Sequence, residues 1–223
     1  MMTTQTTRAA LAAGFLIAAL GAGHASAAEP AGNGSPRQAH QRGFSLGLQY
    51  QANFTGAEDP GPGSAPNQLF IEEAGNGLTF LGGYGFTPHF AMRLTAGTAA
   101  HRTTQAAVEV YQSSVVLEAH YRFLPGERAR PYVFGGLGGT DIRADQEGFH
   151  VQTSGALAAL GVGVLYDLTG HLAADLTARL DLINWNSVKV TQDLPDGSTV
   201  RLENPIQETG SAGKLMLGLV WQF

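Results

Sequence analysis

Apolar and polar residues alternate with a period of two along most of the chain. Phe44, Leu46, Leu48, Tyr50, Ala52 and Phe54 interleave with Ser45, Gly47, Gln49, Gln51 and Asn53, a run long enough to predict a strand with two unlike faces. The carboxy-terminal segment repeats the pattern, with Leu215, Leu217, Leu219, Trp221 and Phe223 on one face and Lys214, Met216, Gly218 and Gln222 on the other. Six more strands are predicted between them. The second places Leu78, Phe80, Gly82, Tyr84 and Phe86 together and turns at Thr87-Pro88-His89. The third sets Phe90, Met92, Leu94 and Ala96 against Arg93, Thr95 and Gly97, and the fourth sets Val115, Leu117, Ala119, Tyr121 and Phe123 against Glu118, His120 and Arg122. Val108 and Val110 have the opposite parity, so a β-bulge is expected near Gln112-Ser113-Ser114.

A charged turn from Leu124 to Arg130 leads into a fifth strand that opens on Pro131-Tyr132-Val133-Phe134, proline being tolerated as a first strand residue. The sixth strand, about Thr153 to Tyr166, turns outward Ala156, Ala158, Leu160, Val162, Val164 and Tyr166. After Asp167-Leu-Thr-Gly170 the seventh opposes Leu172, Ala174, Leu176, Ala178, Leu180 and Leu182 to Asp175, Thr177, Arg179 and Asp181. The connectors alternate in length: short at Pro88, Gly126 and Thr169, longer over 55–75, 99–107, 143–152 and 183–208. The last contains Leu194-Pro-Asp-Gly197, a plausible hairpin turn, between Val188-Lys-Val190 and Thr199-Val-Arg-Leu202. A protruding hairpin is preferred there to an extra strand pair, because Asn184, Asn186, Gln192 and Asp193 are too polar for a lipid-facing band.

Eight such strands with one apolar face predict an all-β fold, an eight-stranded antiparallel transmembrane β-barrel, with short turns at one end and longer loops at the other. Phe44, Phe86, Phe90, Phe123, Tyr132, Tyr166 and Phe223 fall at the short-turn end, as an aromatic interfacial girdle requires. Residues 1–27 read as a cleaved signal peptide: one charge at Arg8, an apolar run from Ala9 to Leu20 and a small tripeptide Ala25-Ser26-Ala27. That run is far short of the ~20 residues a membrane helix needs. Residues 28–42 are expected to form a flexible linker, and 43–223 the barrel. Without Arg8 the formal net charge moves from −5 to −6, which argues against nucleic acid as a partner. With no cysteine, disulfides, thiolate metal sites and a cysteine nucleophile are excluded.

The Pro131-Tyr-Val-Phe-Gly-Gly-Leu-Gly and Gly161-Val-Gly-Val-Leu-Tyr166 strands, with terminal Trp221-Gln-Phe223, resemble the small outer-membrane β-barrel proteins: the OmpA membrane domain, OmpX-type barrels and porin-family surface proteins. The likeness spans about Gly43 to Phe223. It implies bacterial outer-membrane localisation, a surrounding of outer-membrane lipid and lipopolysaccharide, and an assembly signal at Trp221 and Phe223 read by the barrel assembly machinery. No peptidoglycan-binding domain is expected, so the anchoring role of longer relatives is not implied.

An eight-stranded lumen is narrow enough for side chains to fill. Gly83, Gly85, Gly135, Gly139, Gly155, Gly161 and Gly163 are expected to point inward opposite long polar groups. Two interior charge clusters are predicted, Arg93 with Glu118 and Arg122, and Asp175, Arg179 and Asp181 with Lys214, because buried charges must be paired. His120 joins this network with Glu118, a pair that also has the form of an acid and base. The Gly135–Gly139 cluster lacks the spacing of a phosphate cradle. Asp193-Leu-Pro-Asp196-Gly departs from a calcium loop after two residues, and His101 and His150 fall on separate predicted loops with no evident companion. No catalytic residue, metal site or cofactor is therefore expected. The expected role is structural or interactive, in a monomer, through external loops that meet a surface ligand. Glu58, Asp59, Glu72, Glu73 and Trp185 are the candidate contacts. The alternative is a narrow porin-like channel, and the third reading an outer-membrane lipid-modifying enzyme.

Overall fold

Period-two alternation gives each strand a face for lipid and a face for its neighbours across a lumen, and closing the sheet is the one way to satisfy every backbone group at membrane depth. The computed structural model describes residues 42–55, 71–103, 108–146, 148–194 and 198–223. The expected signal peptide, the linker up to residue 41, and Glu58 and Asp59 lie outside the described residues. Eight strands, β1 (Gly43–Thr55), β2 (Ile71–Gly85), β3 (Phe90–Thr103), β4 (Glu109–Arg122), β5 (Ala129–Gln146), β6 (Phe149–Asp167), β7 (Leu172–Asp193) and β8 (Thr199–Gln222), run antiparallel in sequence order. They form a closed barrel in which β8 pairs with β1.

Stepping across the register from Val220 through Gly47, Leu81, Thr95, Val116, Gly138, Leu157 and Ile183 returns to β8 at Gly210, ten residues from the start. That stagger tilts the strands roughly 40° to the axis and leaves a bore that side chains can fill. The outward face carries a continuous apolar band that includes Phe44 at 67% exposure and Leu137 at 73%, far more than a water-facing surface carries. Its lower rim is aromatic: Phe44 meets Tyr84, Tyr84 meets Phe86 and Tyr121 meets Phe123 edge-on at 4.9–5.2 Å. The short turns sit at this end. Leu168 N donates to Leu172 O at 2.8 Å, and the β4–β5 turn places Leu124 and Gly126 at positive φ, 49° and 103°.

Four expectations are corrected. β4 pairs without a break to both neighbours, so there is no bulge at Gln112–Ser114; Val108 and Val110 have the other parity because they face inward and are buried. The register instead shifts at Ile71/Gly75, Ser154/Gly155 and Trp185/Ser187. In β5, Tyr132 and Phe134 face the lumen, so Tyr132 is not part of the girdle. Gly135 and Gly139 face outward; Gly136 and Gly138 point in, where a Cβ would meet Val116. This segment has no polar and apolar contrast between its faces, so alternation alone could not set its parity. Finally, most of the expected connectors 143–152 and 183–208 is strand: β5 runs to Gln146, β6 resumes at Phe149, and β7 and β8 extend as a protruding hairpin. Hydrogen bonding between strands does not require apolar side chains, so the sheet continues past the lipid-facing band. Only Ala212–Gln222 of β8 pairs with β1; the upper half of β8 pairs with β7.

Candidate functional site

Along β7 the inward positions read Ala173, Asp175, Thr177, Arg179, Asp181 and Ile183: one small apolar residue, four polar ones, then apolar again. This order is repeated through the bore. Near the short turns Leu81, Tyr132, Phe134, Leu165, Ala173 and Val220 pack together. Toward the other end Val116, Leu157, Ala159, Ile183 and Ala212 form a second apolar layer with Trp185 against it. Trp185, expected on an exposed loop, turns inward and fills the space over Gly155 and Gly210. Glycines make room for the rings below: a Cβ on Gly161 would strike Phe134, and one on Gly163 would strike Tyr132.

Between these layers lies an ionic one. Arg93 Nη1 donates to Asp175 Oδ2 at 2.9 Å, straight across from β3 to β7. Tyr132 OH donates to the other Asp175 oxygen at 2.6 Å, and Arg93 lies over the Tyr132 ring, 5.4 Å from its centroid. Glu118 accepts from Arg179 Nη1 at 2.9 Å and Thr95 Oγ1 at 3.0 Å, and its second oxygen lies 2.9 Å from His120 Nε2. Arg179 Nε donates to Asp181 Oδ1 at 2.5 Å, and Lys214 Nζ sits 2.9 Å from Asp181 Oδ2 and 3.3 Å from Ser114 Oγ. His120 stacks on Phe134 at 4.8 Å. Asp175 and Asp181 are fully buried.

The charges expected in two separate clusters are thus joined. The partner of Arg93 is Asp175, although Glu118 is its register neighbour, and the partner of Glu118 is Arg179. In so narrow a bore the opposite wall is as reachable as the adjacent strand. Arg122 is buried but makes no ion pair among the described residues. Because a buried cation without a carboxylate is costly, Arg122→Met should leave stability unchanged or raise it by ~1 kcal/mol, read by urea unfolding in lipid vesicles; a loss above ~2 kcal/mol would show an unrecognised partner. Thr95 and Thr177 were expected on the inner face without a role, and Tyr132 on the outer one; the hydroxyls of all three bind the carboxylates, and Tyr132 escaped sequence reading because an aromatic residue suits either face of a strand. Sequence reading also missed Arg130, paired to Asp167 and reaching Gln222 Oε1 at 3.2 Å at the lower mouth.

The two histidines expected on loops are on strands. His101 in β3 is buried and its Nε2 lies 3.3 Å from Asn53 Nδ2, which also donates to Gln112 at 2.6 Å. His150 in β6 has Asp145 at 2.8 Å and Asp193 at 3.7 Å. Among the described residues no group of three or more acidic, histidine or cysteine side chains is placed to hold a metal. Glu72 and Glu73 lie in the upper part of β2.

The family model described as outer membrane protein beta-barrel domain matches residues 15–223. The fold is similar to that of a major outer membrane protein from Thermus thermophilus, with a TM-score of 0.58 and 13% identity over 81% of this chain and 99% of that one. It is also similar to Neisserial surface protein A, with a TM-score of 0.54 and 18% identity over 81% and 97%. OprG from Pseudomonas aeruginosa aligns with a TM-score of 0.50 and 14% identity over 83% and 98%. No protein of curated function matches the chain in sequence.

Proposed function

Because the chain belongs to the outer-membrane β-barrel family, we propose that it is a sealed scaffold in the bacterial outer membrane whose work is done by the surface it presents outside the cell. The observation that carries this reading is the ionic layer spanning the bore from β3 and β4 to β7 and β8, closed above and below by apolar side chains. A solute would have to break several buried charge pairs to pass, each of which is expensive to separate. Residues 1–27 act as the export signal, Trp221 and Phe223 as the assembly signal for the barrel machinery, and the folded protein works as a monomer without cofactor or catalysis. The wall ends in long polar extensions of β5–β8, and binding residues are commonly mounted on such rigid supports.

The test is ion conductance of the refolded mature protein in planar bilayers, with folding first checked by its migration in unheated detergent gels. Silence is expected. Discrete steps that change when Arg93 or Lys214 is neutralised would overturn the sealed reading. One observation favours the channel alternative: Arg122 lies in the bore with no carboxylate paired to it among the described residues, which leaves surplus positive charge there. Any such current should therefore favour anions.

A further inference from the structure

On β5 the residues that share a face with lipid-facing Leu137 are Asp141, Arg143 and Asp145, and no register shift intervenes. Cross-strand partners share a face. Tyr111, Arg143, Gln152, Lys189 and Glu203 therefore form one outward row, and Asp145, His150, Thr191 and Arg201 the next. Of these, Arg143, Gln152, Lys189, Asp145, His150, Thr191 and Arg201 line a shallow pocket of about 240 Å³. The acids of the two rows are engaged: Asp145, in the pocket, by His150 at 2.8 Å, and Glu203, outside its lining, by Lys189 at 3.4 Å. Arg143 and Arg201 are exposed and make no ion pair among the described residues.

Position decides what reaches these cations. Arg143 stands six residues beyond Leu137, roughly 15 Å further along the axis at about 3.3 Å per residue and the barrel's tilt. That is past the hydrocarbon, yet on the wall that a neighbouring lipid molecule lies against. Arg143 and Lys189 are two strands apart, about 10 Å, a spacing that suits two anionic groups on one saccharide. The guanidinium fork is the natural partner of phosphate.

We propose that this outward face of β5–β8 binds the phosphorylated core saccharide of lipopolysaccharide, with Arg143 and Arg201 as the free anion-binding groups and Lys189 between them. The assignment rests on the orientation given above, with the extended strands outside the cell. It is tested with refolded barrel in neutral detergent micelles, titrated with lipopolysaccharide of phosphorylated core, with the same material after dephosphorylation, and with inorganic phosphate. The phosphorylated form should bind best and in a salt-dependent manner. The Arg143→Gln/Arg201→Gln double variant should bind it about 30-fold more weakly, at about a fivefold loss per cation. Both side chains are exposed, so the variant's gel migration should match that of the parent. Equal binding by parent and variant, or indifference to phosphate removal, overturns the proposal. Saturation of the same site by inorganic phosphate with no preference for the lipopolysaccharide overturns the lipid assignment. Orientation is read separately: the chain has no cysteine, so Val200→Cys should label on intact cells with an impermeant maleimide. Failure there sinks the orientation while leaving the binding result intact.

Discussion

Replacing Arg179 with methionine should lower the unfolding free energy of the barrel by about 3–5 kcal/mol, the largest single effect expected in this chain. Arg179 holds two carboxylates at once, Glu118 at 2.9 Å and Asp181 at 2.5 Å. Lys214 remains for Asp181, but Glu118 would keep only Thr95 and His120. The cost comes from buried charge left behind, not from the cation removed. The triple variant Arg179→Met/Glu118→Gln/Asp181→Asn should accordingly recover more than half of the loss. Urea unfolding in phosphatidylcholine vesicles measures both. A loss below ~1 kcal/mol for the single variant would mean that water already solvates these carboxylates and that the layer does not seal the bore.

Gly161→Val should be nearly as damaging, at about 3 kcal/mol or more. A Cβ at this position would overlap the Phe134 ring and come within 2.6 Å of the Ala178 carbonyl oxygen. The first obstacle is a side chain and the second is backbone of the paired strand β7. Combining Gly161→Val with Phe134→Leu should therefore restore part of the stability and not all of it. Gly135→Val, on the outward face of the neighbouring strand, places its Cβ at ordinary contact distance from the Leu160 side chain, 3.5 Å, and the Ala159 carbonyl oxygen, 3.9 Å, and serves as the contrast, with little change expected. Equal losses at the two positions would refute the inward and outward assignment of β5 and β6.

That assignment marks the limit of what alternation could tell. β1, β7 and β8 were legible because one face is lined by Leu, Phe or Trp and the other by Asn, Asp, Gln or Lys, a contrast that only one register satisfies. In β5 the run from Tyr132 to Gly139 offers apolar residues and glycines to both faces, and the choice was made by packing: Tyr132 and Phe134 fit inward because Gly163 and Gly161 lie beside them on β6. The charged residues were recognisable as interior from their parity. Their partners were not, because a sequence shows which residues neighbour each other along the sheet and says nothing of the distance across the bore. The strand extensions of β5–β8 were hidden for a further reason. Outside the hydrocarbon neither face need be apolar, so the periodic signal fades while the backbone ladder continues.

The upper half of β8 pairs with β7 on one side, whereas its pairing with β1 stops at Ala212. Above that point no strand among the described residues pairs with this edge of β8, and an edge of that kind is a margin along which identical proteins stack into aggregates. Its composition counters the hazard. Pro205 interrupts the row of donors, and Arg201, Glu203 and Glu208 place like and unlike charges at short intervals, so that a second copy laid alongside would meet a missing amide and mismatched ionic groups. Protection against self-association is thus written into the same hairpin that carries the basic outward face. Substitutions meant to probe ligand binding there are best confined to Arg143 on β5, or checked for oligomers whenever Arg201 is neutralised.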